Sequence, residues 1–257
     1  MRGAFVIAGR DLRGLFVSPL FYILTGICAI VWSFQFYFLV NQFVSQSMMQ
    51  MMQQGQNGEG LNLHFTVMFR HISTVNLMMI FAVAALTMRL FTEEKRQRTF
   101  DLLLTSPVTA SHIVIGKLIA GTLTAWALIA VSLLYPISMA FFGKLEWGPL
   151  IASYIGLMLM AALYVSVGMF ASSLTENNVL AVVMGLIFNV MIWFLGVMGE
   201  VAESATQRAI SDHINISTHF MSFLKGQPSL AAIVFFLSVI GLFTFLTQRV
   251  VESARWR

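Results

Sequence analysis

The sequence has a single cysteine, Cys28, in 257 residues. No intrachain disulfide can form, so surface segments must be held by packing alone. Charge is nearly as scarce: Lys and Arg number 15 and Asp and Glu 11, together 10% of the chain. A net charge of +4 calls for no nucleic-acid partner. Also missing are the short motifs of self-contained catalysis. No GxSxG or HExxH occurs, and Gly116-Lys117 is followed by Leu118, without the upstream glycine that a GxxxxGK(S/T) phosphate loop requires. This chain cannot bind ATP by that loop.

What is abundant is apolar surface. Hydrophobic residues make up 58% of the chain, Phe alone numbers 23, and the mean hydropathy is +0.82. That exceeds what a soluble core of this length buries, so the chain reads as an integral membrane protein. The apolar residues fall in blocks of about twenty, the length that crosses about 30 Å of hydrocarbon as a helix. Six such blocks stand at 20–43, 75–91, 113–142, 150–174, 179–198 and 230–250. They do not alternate as outer-membrane strands would, so the expected fold is all-α with six transmembrane helices in one domain, 1–257. Substantial loops are expected at 44–74, 91–112 and 199–229; in the last, residues 201–214 are too polar for a span and too apolar for a free loop. Pro136 should kink the third span and free a carbonyl. Gly116, Ala120 and Thr124 on the third span, with Ala152 and Gly156 on the fourth, form small-residue faces where helices approach closely.

The basic residues set the orientation. With a cytoplasmic N-terminus, the inside segments hold Arg2, Arg10, Arg13, Arg89, Lys95, Arg96, Arg98, Lys117, Arg249, Arg255 and Arg257. The outside segments then hold Arg70, Lys144, Arg208 and Lys225. This bias places both termini in the cytoplasm. A signal peptide is excluded, because the first apolar block is too long and follows a 19-residue amphipathic segment. In that segment, 1–19, Phe5, Ala8, Leu12, Leu15 and Phe16 fall within an arc of about 100°, with Arg2, Arg10 and Arg13 on the other side. The pattern suits an interfacial helix lying on lipid until Ser18-Pro19 turns the chain into the first span. A plain anchor and a grip on a cytoplasmic partner fit it equally.

One run breaks the composition. From Glu93, five of eight consecutive residues are charged: Glu93, Glu94, Lys95, Arg96 and Arg98. Thr92 is placed to cap a helix with Glu93 and Glu94 in its first turn, and Glu94 and Arg98 stand four apart as a surface pair. Phe100, Leu103 and Leu104 share a face, Pro107 stops the helix, and Ser111 is placed to cap the next span. The expectation is a rigid amphipathic helix over 92–106 that lies across the cytoplasmic surface.

The stretch RLFTEEKRQRTFDLLLTSPVTASHIVIGKLIAG closely resembles the segment between spans two and three of ABC-2 type transporter permeases. Ser106, Pro107, Val108, Thr109, Gly116 and Lys117 match that family's pattern, and SYIGLMLMAALYVSVGMFASSLTENNVLA resembles its fourth span. SPLFYI at Ser18 and HFMSFLKG at His219 are similar to the gliding-motility-associated branch. The resemblance implies a bacterial inner-membrane permease of the ABC-2 exporter fold, in which the helix after span two is a coupling helix docking on an ATPase. Glu93, Glu94, Lys95, Arg96, Arg98, Phe100, Leu103, Leu104 and Pro107 would form that contact, the charged half against the ATPase and the apolar half against the spans and bilayer, and Phe5, Arg10, Leu12, Arg13 and Phe16 the interfacial helix. It further implies an outer segment at 199–229 that dips back toward the membrane, ATP and Mg held by a separate ATPase subunit, a second permease copy, and an auxiliary periplasmic or membrane-anchored protein, with no cofactor in this chain itself.

Rival chemistry has weaker signals. His64 and His71 near Glu59, and Asp212, His213 and His219, lack the tight spacing of a structural zinc site. Met48, Met49, Met51 and Met52 are soft ligands suited to Cu(I), which opens an alternative of a permease for copper-enzyme maturation. A flexible, methionine-rich extension of the first span is the plainer reading. An intramembrane hydrolase would need a base beside Ser132, Ser138 or Ser166, yet no histidine lies within those spans. Gln35, Asn41, Asn76 and Asn189 are the polar residues in spans, and no carboxylate accompanies them to suggest proton-driven transport.

Overall fold

The computed structural model describes residues 2–54, 62–100, 109–141, 145–197 and 215–254, and among these every regular element is helical. Two helices open the chain: α1, Arg2–Val17, and α2, Pro19–Gln54. A π-helical turn, His64–Met68, leads into α3, Phe69–Thr87, and after the single residue Met88 comes α4, Arg89–Arg96. The third block forms α5, Ala110–Ser132, and α6, Leu134–Ala140. Then follow α7, Trp147–Leu174, α8, Asn178–Val197, α9, Ile216–Leu224, and α10, Leu230–Ala254. Five stretches are long and apolar enough to cross a membrane: Pro19–Met52, His64–Arg96, Ala110–Ala140, Trp147–Leu174 and Leu230–Ala254. The apolar stretch Asn178–Phe194 of α8 is shorter.

Several boundaries depart from the sequence reading. The expected loop 44–74 is largely helical, because α2 runs 36 residues without a breaker and the chain resumes helix at His64. Thr92 caps nothing: it lies inside α4, and its hydroxyl donates to the Met88 carbonyl and to Asn178 Oδ1. No proline or glycine separates Thr87 from Thr92, so α3 passes into α4 with only a turn at Met88. The cap of α5 is Thr109 rather than Ser111; its backbone is extended and its hydroxyl accepts from the His112 amide.

The amide missing at Pro136 interrupts the helix one turn earlier. Helix breaks at Leu133, and the carbonyl of Ser132, four residues before the proline, accepts the Tyr154 hydroxyl at 3.0 Å. A freed acceptor in a water-poor interior is thereby satisfied.

At the centre stands α7, packed against α3, α5, α8, α9 and α10. Its small residues let neighbours close in. A Cβ on Gly168 would lie 2.1 Å from Thr87 Oγ1, and one on Gly156 would lie 2.5 Å from Phe223 Cβ. Phe223 belongs to α9, which is capped by Asn215 and held by Ser153 Oγ donating to the Phe223 carbonyl at 3.3 Å. His64 Nε2 lies 3.0 Å from the Leu224 carbonyl on the same helix end. Polar groups elsewhere bond between spans: buried Tyr164 donates to Asn76 Oδ1 at 3.3 Å, and half-buried Trp126 to the Met158 carbonyl at 3.0 Å and Gln35 Nε2 to Thr74 at 2.7 Å.

Candidate functional site

The charged run sits where α1, α4 and the first turns of α5 converge. Gly116 makes the convergence close, since a Cβ there would lie 2.7 Å from the Ala4 carbonyl oxygen. Ala4, Ile7 and Ala8 of α1 are buried against α5. This face overlaps in part with the one the sequence pattern singles out: Ala8 is common to both and Leu15 packs against the same core, Leu12 is half-buried and Phe16 rests on the Phe21 ring at 4.9 Å, whereas Phe5 is 65% exposed and Arg13 is exposed. Helix α1 thus has a protein face, an outward apolar edge and a basic edge.

Next to Gly116, Lys117 carries a positive charge into the interior. Its side chain is 2% exposed. The ammonium lies 3.0 Å from Asp11 Oδ2 on α1 and 2.9 Å from Glu94 Oε2 on α4, donates to the Leu90 carbonyl, and stands 5.0 Å from the Phe91 ring centre. The contact to Glu94 Oε2 is an ion pair without the alignment of a directed hydrogen bond. Arg10 closes the group, pairing with Asp11 at 2.8 Å and with Glu94 Oε1. Burial costs Arg10 some solvation, but Asp11 and Glu94 outweigh it and hold the guanidinium pKa above its ordinary value. Two cations and two carboxylates alternate, so the charge is balanced where it is least solvated.

Glu94 therefore turns inward to Lys117, and the expected Glu94–Arg98 surface pair does not form. Lys95 turns inward as well, donating to the Ser173 carbonyl at 2.6 Å in the last turn of α7, with its ammonium 5.7 Å from the Phe100 ring centre. Cations suit a helix C-terminus. Ser172 adds a second tie, donating to the Met88 carbonyl at 2.8 Å and accepting from the Phe91 amide at 3.1 Å. The outward edge of α4 keeps Glu93, with Arg89 at 3.9 Å, Arg96 at 3.4 Å and Gln97 Nε2 at 3.1 Å. Between that edge and α1 lies a cavity of about 820 Å³ whose walls include Arg10, Gly14, Leu15, Ser18, Arg89 and Glu93.

Arg98 ends the helix in an unexpected way. Its φ is +55°, and the amides of Arg98 and Thr99 bond back to the carbonyls of Lys95 and Glu94 at 3.1 and 3.0 Å. This is a Schellman closure with arginine where glycine is usual. The same closure after α9 uses Gly226, at φ +74°. Arg98→Gly is expected to stabilise the α4 end by about 1 kcal/mol and raise the thermal midpoint slightly, whereas Arg98→Val lowers it. Phe100, just beyond, is buried with Phe91, Ile113 and Val251, against protein and not against the bilayer. Leu103, Leu104 and Pro107 lie outside the described residues.

The other candidates are dispersed. His71 is buried with its ring 5.4 and 4.7 Å from those of Phe36 and Tyr135, and His219 stacks on Phe235 at 4.4 Å. Glu59, Asp212 and His213 lie outside the described residues, among which no three His, Cys, Asp or Glu side chains are grouped to hold a metal. Met48, Met49, Met51 and Met52 stand exposed along the end of α2. Ser132, Ser138 and Ser166 each donate to the carbonyl three residues earlier on their own helix.

The sequence reading missed Asp11 and the role of Lys117. A signal existed, because a lone lysine inside an apolar span needs an anion within reach, and Asp11 and Glu94 are acidic residues at the membrane edge. Compared with known proteins, residues 5–257 match the family model described as ABC-2 family transporter protein. No curated protein matches the chain.

Proposed function

Because this chain belongs to the ABC-2 transporter family, whose members are permease subunits without an ATPase of their own, we propose that α4 is the helix through which a separate ATPase drives it. The observation that carries this reading is the division of α4 into an outward edge of Glu93, Arg96 and Gln97 and inward anchors at Glu94 and Lys95. An edge free to meet another chain is fixed by its far side to α1, α5 and α7. A push on α4 therefore moves three helices and, through Met88, a fourth.

On this reading α8 joins the five long helices as a sixth span, both termini face the cytoplasm, and the membrane is the bacterial inner membrane. ATP and Mg are bound by the ATPase, and two permease copies enclose the pathway. The finer assignment is an exporter or mechanotransmission complex of the gliding-motility-associated branch, supported by SPLFYI and HFMSFLKG. An auxiliary periplasmic or membrane-anchored protein would then complete it.

Coexpression with the neighbouring ATPase tests the reading: the two should co-purify, and the permease should alter ATP turnover. Failure to co-purify together with unaltered ATP turnover would sink it. Arg96→Glu probes the contact itself. The Arg96 side chain is 63% exposed and its pair with Glu93 is a surface one, worth well under about 1 kcal/mol, so folding should be unchanged. ATPase association should fall about tenfold, and unchanged association would move the contact elsewhere.

A further inference from the structure

We propose that α2 pairs with α2 of a second copy of this chain as a parallel, left-handed coiled coil in which Asn41 sets the register. This deepens the permease reading by naming the surface where two copies meet, and it rests on that reading only for the need of two copies.

A repeat carries the proposal. From Ile23 the chain steps by four, three, four and three residues to Ile27, Ile30, Phe34 and Tyr37, and the same steps continue to Asn41, Val44, Met48 and Met51. Alternating steps of four and three are the a/d seam of a coiled coil, here with Ile27, Phe34, Asn41 and Met48 at a. The apolar members are 43% to 76% exposed, and Asn41 is exposed too. On the other side of the helix, Cys28 at b and Trp32 and Leu39 at f are buried in the chain's own core. One face of α2 holds the helix to its chain, and the other is free.

Lipid would cover such a face within the hydrocarbon, but α2 is longer than the hydrocarbon is thick. Its 36 residues span about 54 Å at 1.5 Å each, against about 30 Å of apolar bilayer. The surplus is the polar end that includes Ser45, Gln46, Ser47 and Gln50, and there the seam continues as Val44, Met48 and Met51. Apolar side chains repeating in phase outside the bilayer need a protein to cover them.

Three features select a second copy. No charged residue occurs between Pro19 and Gln54, so two identical helices can lie parallel without like-charge repulsion. Asn41 is the one polar member of the seam and occupies an a position, where paired asparagines bond to each other and fix alignment. Nine seam residues from each helix, two of them aromatics able to bury about 150 Å² apiece, come near the roughly 800 Å² per partner of a standard interface.

The test is cysteine crosslinking in native membranes, in a Cys28→Ala background and, should that variant aggregate on size exclusion, in Cys28→Ser. Mild oxidation of Met48→Cys and Met51→Cys should give disulfide-linked dimer at several times the yield of Gln46→Cys, which is at f. Equal yields at the three positions, or no dimer at any, would overturn the proposal and assign the seam to lipid or an unlike protein. Adding Asn41→Leu should spread crosslinking from Met48 to cysteines at Ser47 and Met49; an unchanged pattern removes Asn41 from its role. ATPase co-purification from the same membranes reports separately on the permease reading.

Discussion

Lys117→Met is expected to destabilise the protein by about 3–5 kcal/mol, the cost of leaving buried charges without their counter-ion. Methionine fills much the same space, so packing does not confound the result. Asp11 and Glu94 would share only Arg10, and the Leu90 carbonyl would lose its bond from Lys117. The thermal midpoint in lipid nanodiscs measures the loss. Neutralising the carboxylates as well, in Lys117→Met with Asp11→Asn and Glu94→Gln, should recover most of it, because the one charge left, on Arg10, belongs to a side chain that is 55% exposed and keeps its water. The triple variant then separates strength from function. If Lys117 ties α1, α4 and α5 into one moving unit, the stable triple variant still recruits its ATPase but no longer alters ATP turnover. A single variant as stable as the parent would show that the ammonium is not buried between those carboxylates.

The second large effect lies at the opposite face of the molecule. Gly156→Val should displace α9 from α7, since even the first atom added would stand 2.5 Å and 2.7 Å from Cβ and Cγ of Phe223. These atoms are the root of the side chain, not a flexible tip, so the helix itself must move. Overpacking of this kind costs about 1–3 kcal/mol. Movement also strains the contacts of Ser153 and His64 with the last carbonyls of α9, and the seat of Gly226 on Pro149. Tryptic cleavage after Lys225, which is exposed in the turn that follows, should rise several-fold. Gly148→Ala is the control, as its Cβ meets nothing within 4 Å, and should leave cleavage unchanged. Equal cleavage in both variants would mean that Phe223 does not fasten α9.

What the sequence revealed followed from burial and what it hid followed from direction. The helices were legible because membrane spans must be apolar for a fixed length, and Pro136 announced a break in its helix because a missing amide acts locally. The charged run was visible as composition, but which way each charge points depends on neighbours far along the chain. Glu94 read as a surface partner of Arg98 until Lys117, from another helix, claimed it. Thr92 had the chemistry of a cap and lacked the break before it that a cap needs. The end of α2 is written in Gln, Ser and Met, which mark neither a span nor a turn, so its helix was not recognised.

The absence of charge along α2 has a consequence for the bilayer. Ser18 and Pro19 bind this helix to α1 at one surface, and Arg89 donates to Ser18 at 3.0 Å, but no lysine, arginine or carboxylate marks where the opposite surface must fall. A thicker membrane can draw further uncharged turns into its hydrocarbon, and a thinner one can release them. Hydrophobic mismatch at this helix can therefore be met by sliding the boundary along glutamine and methionine, a response added to the tilting and lipid deformation open to any span.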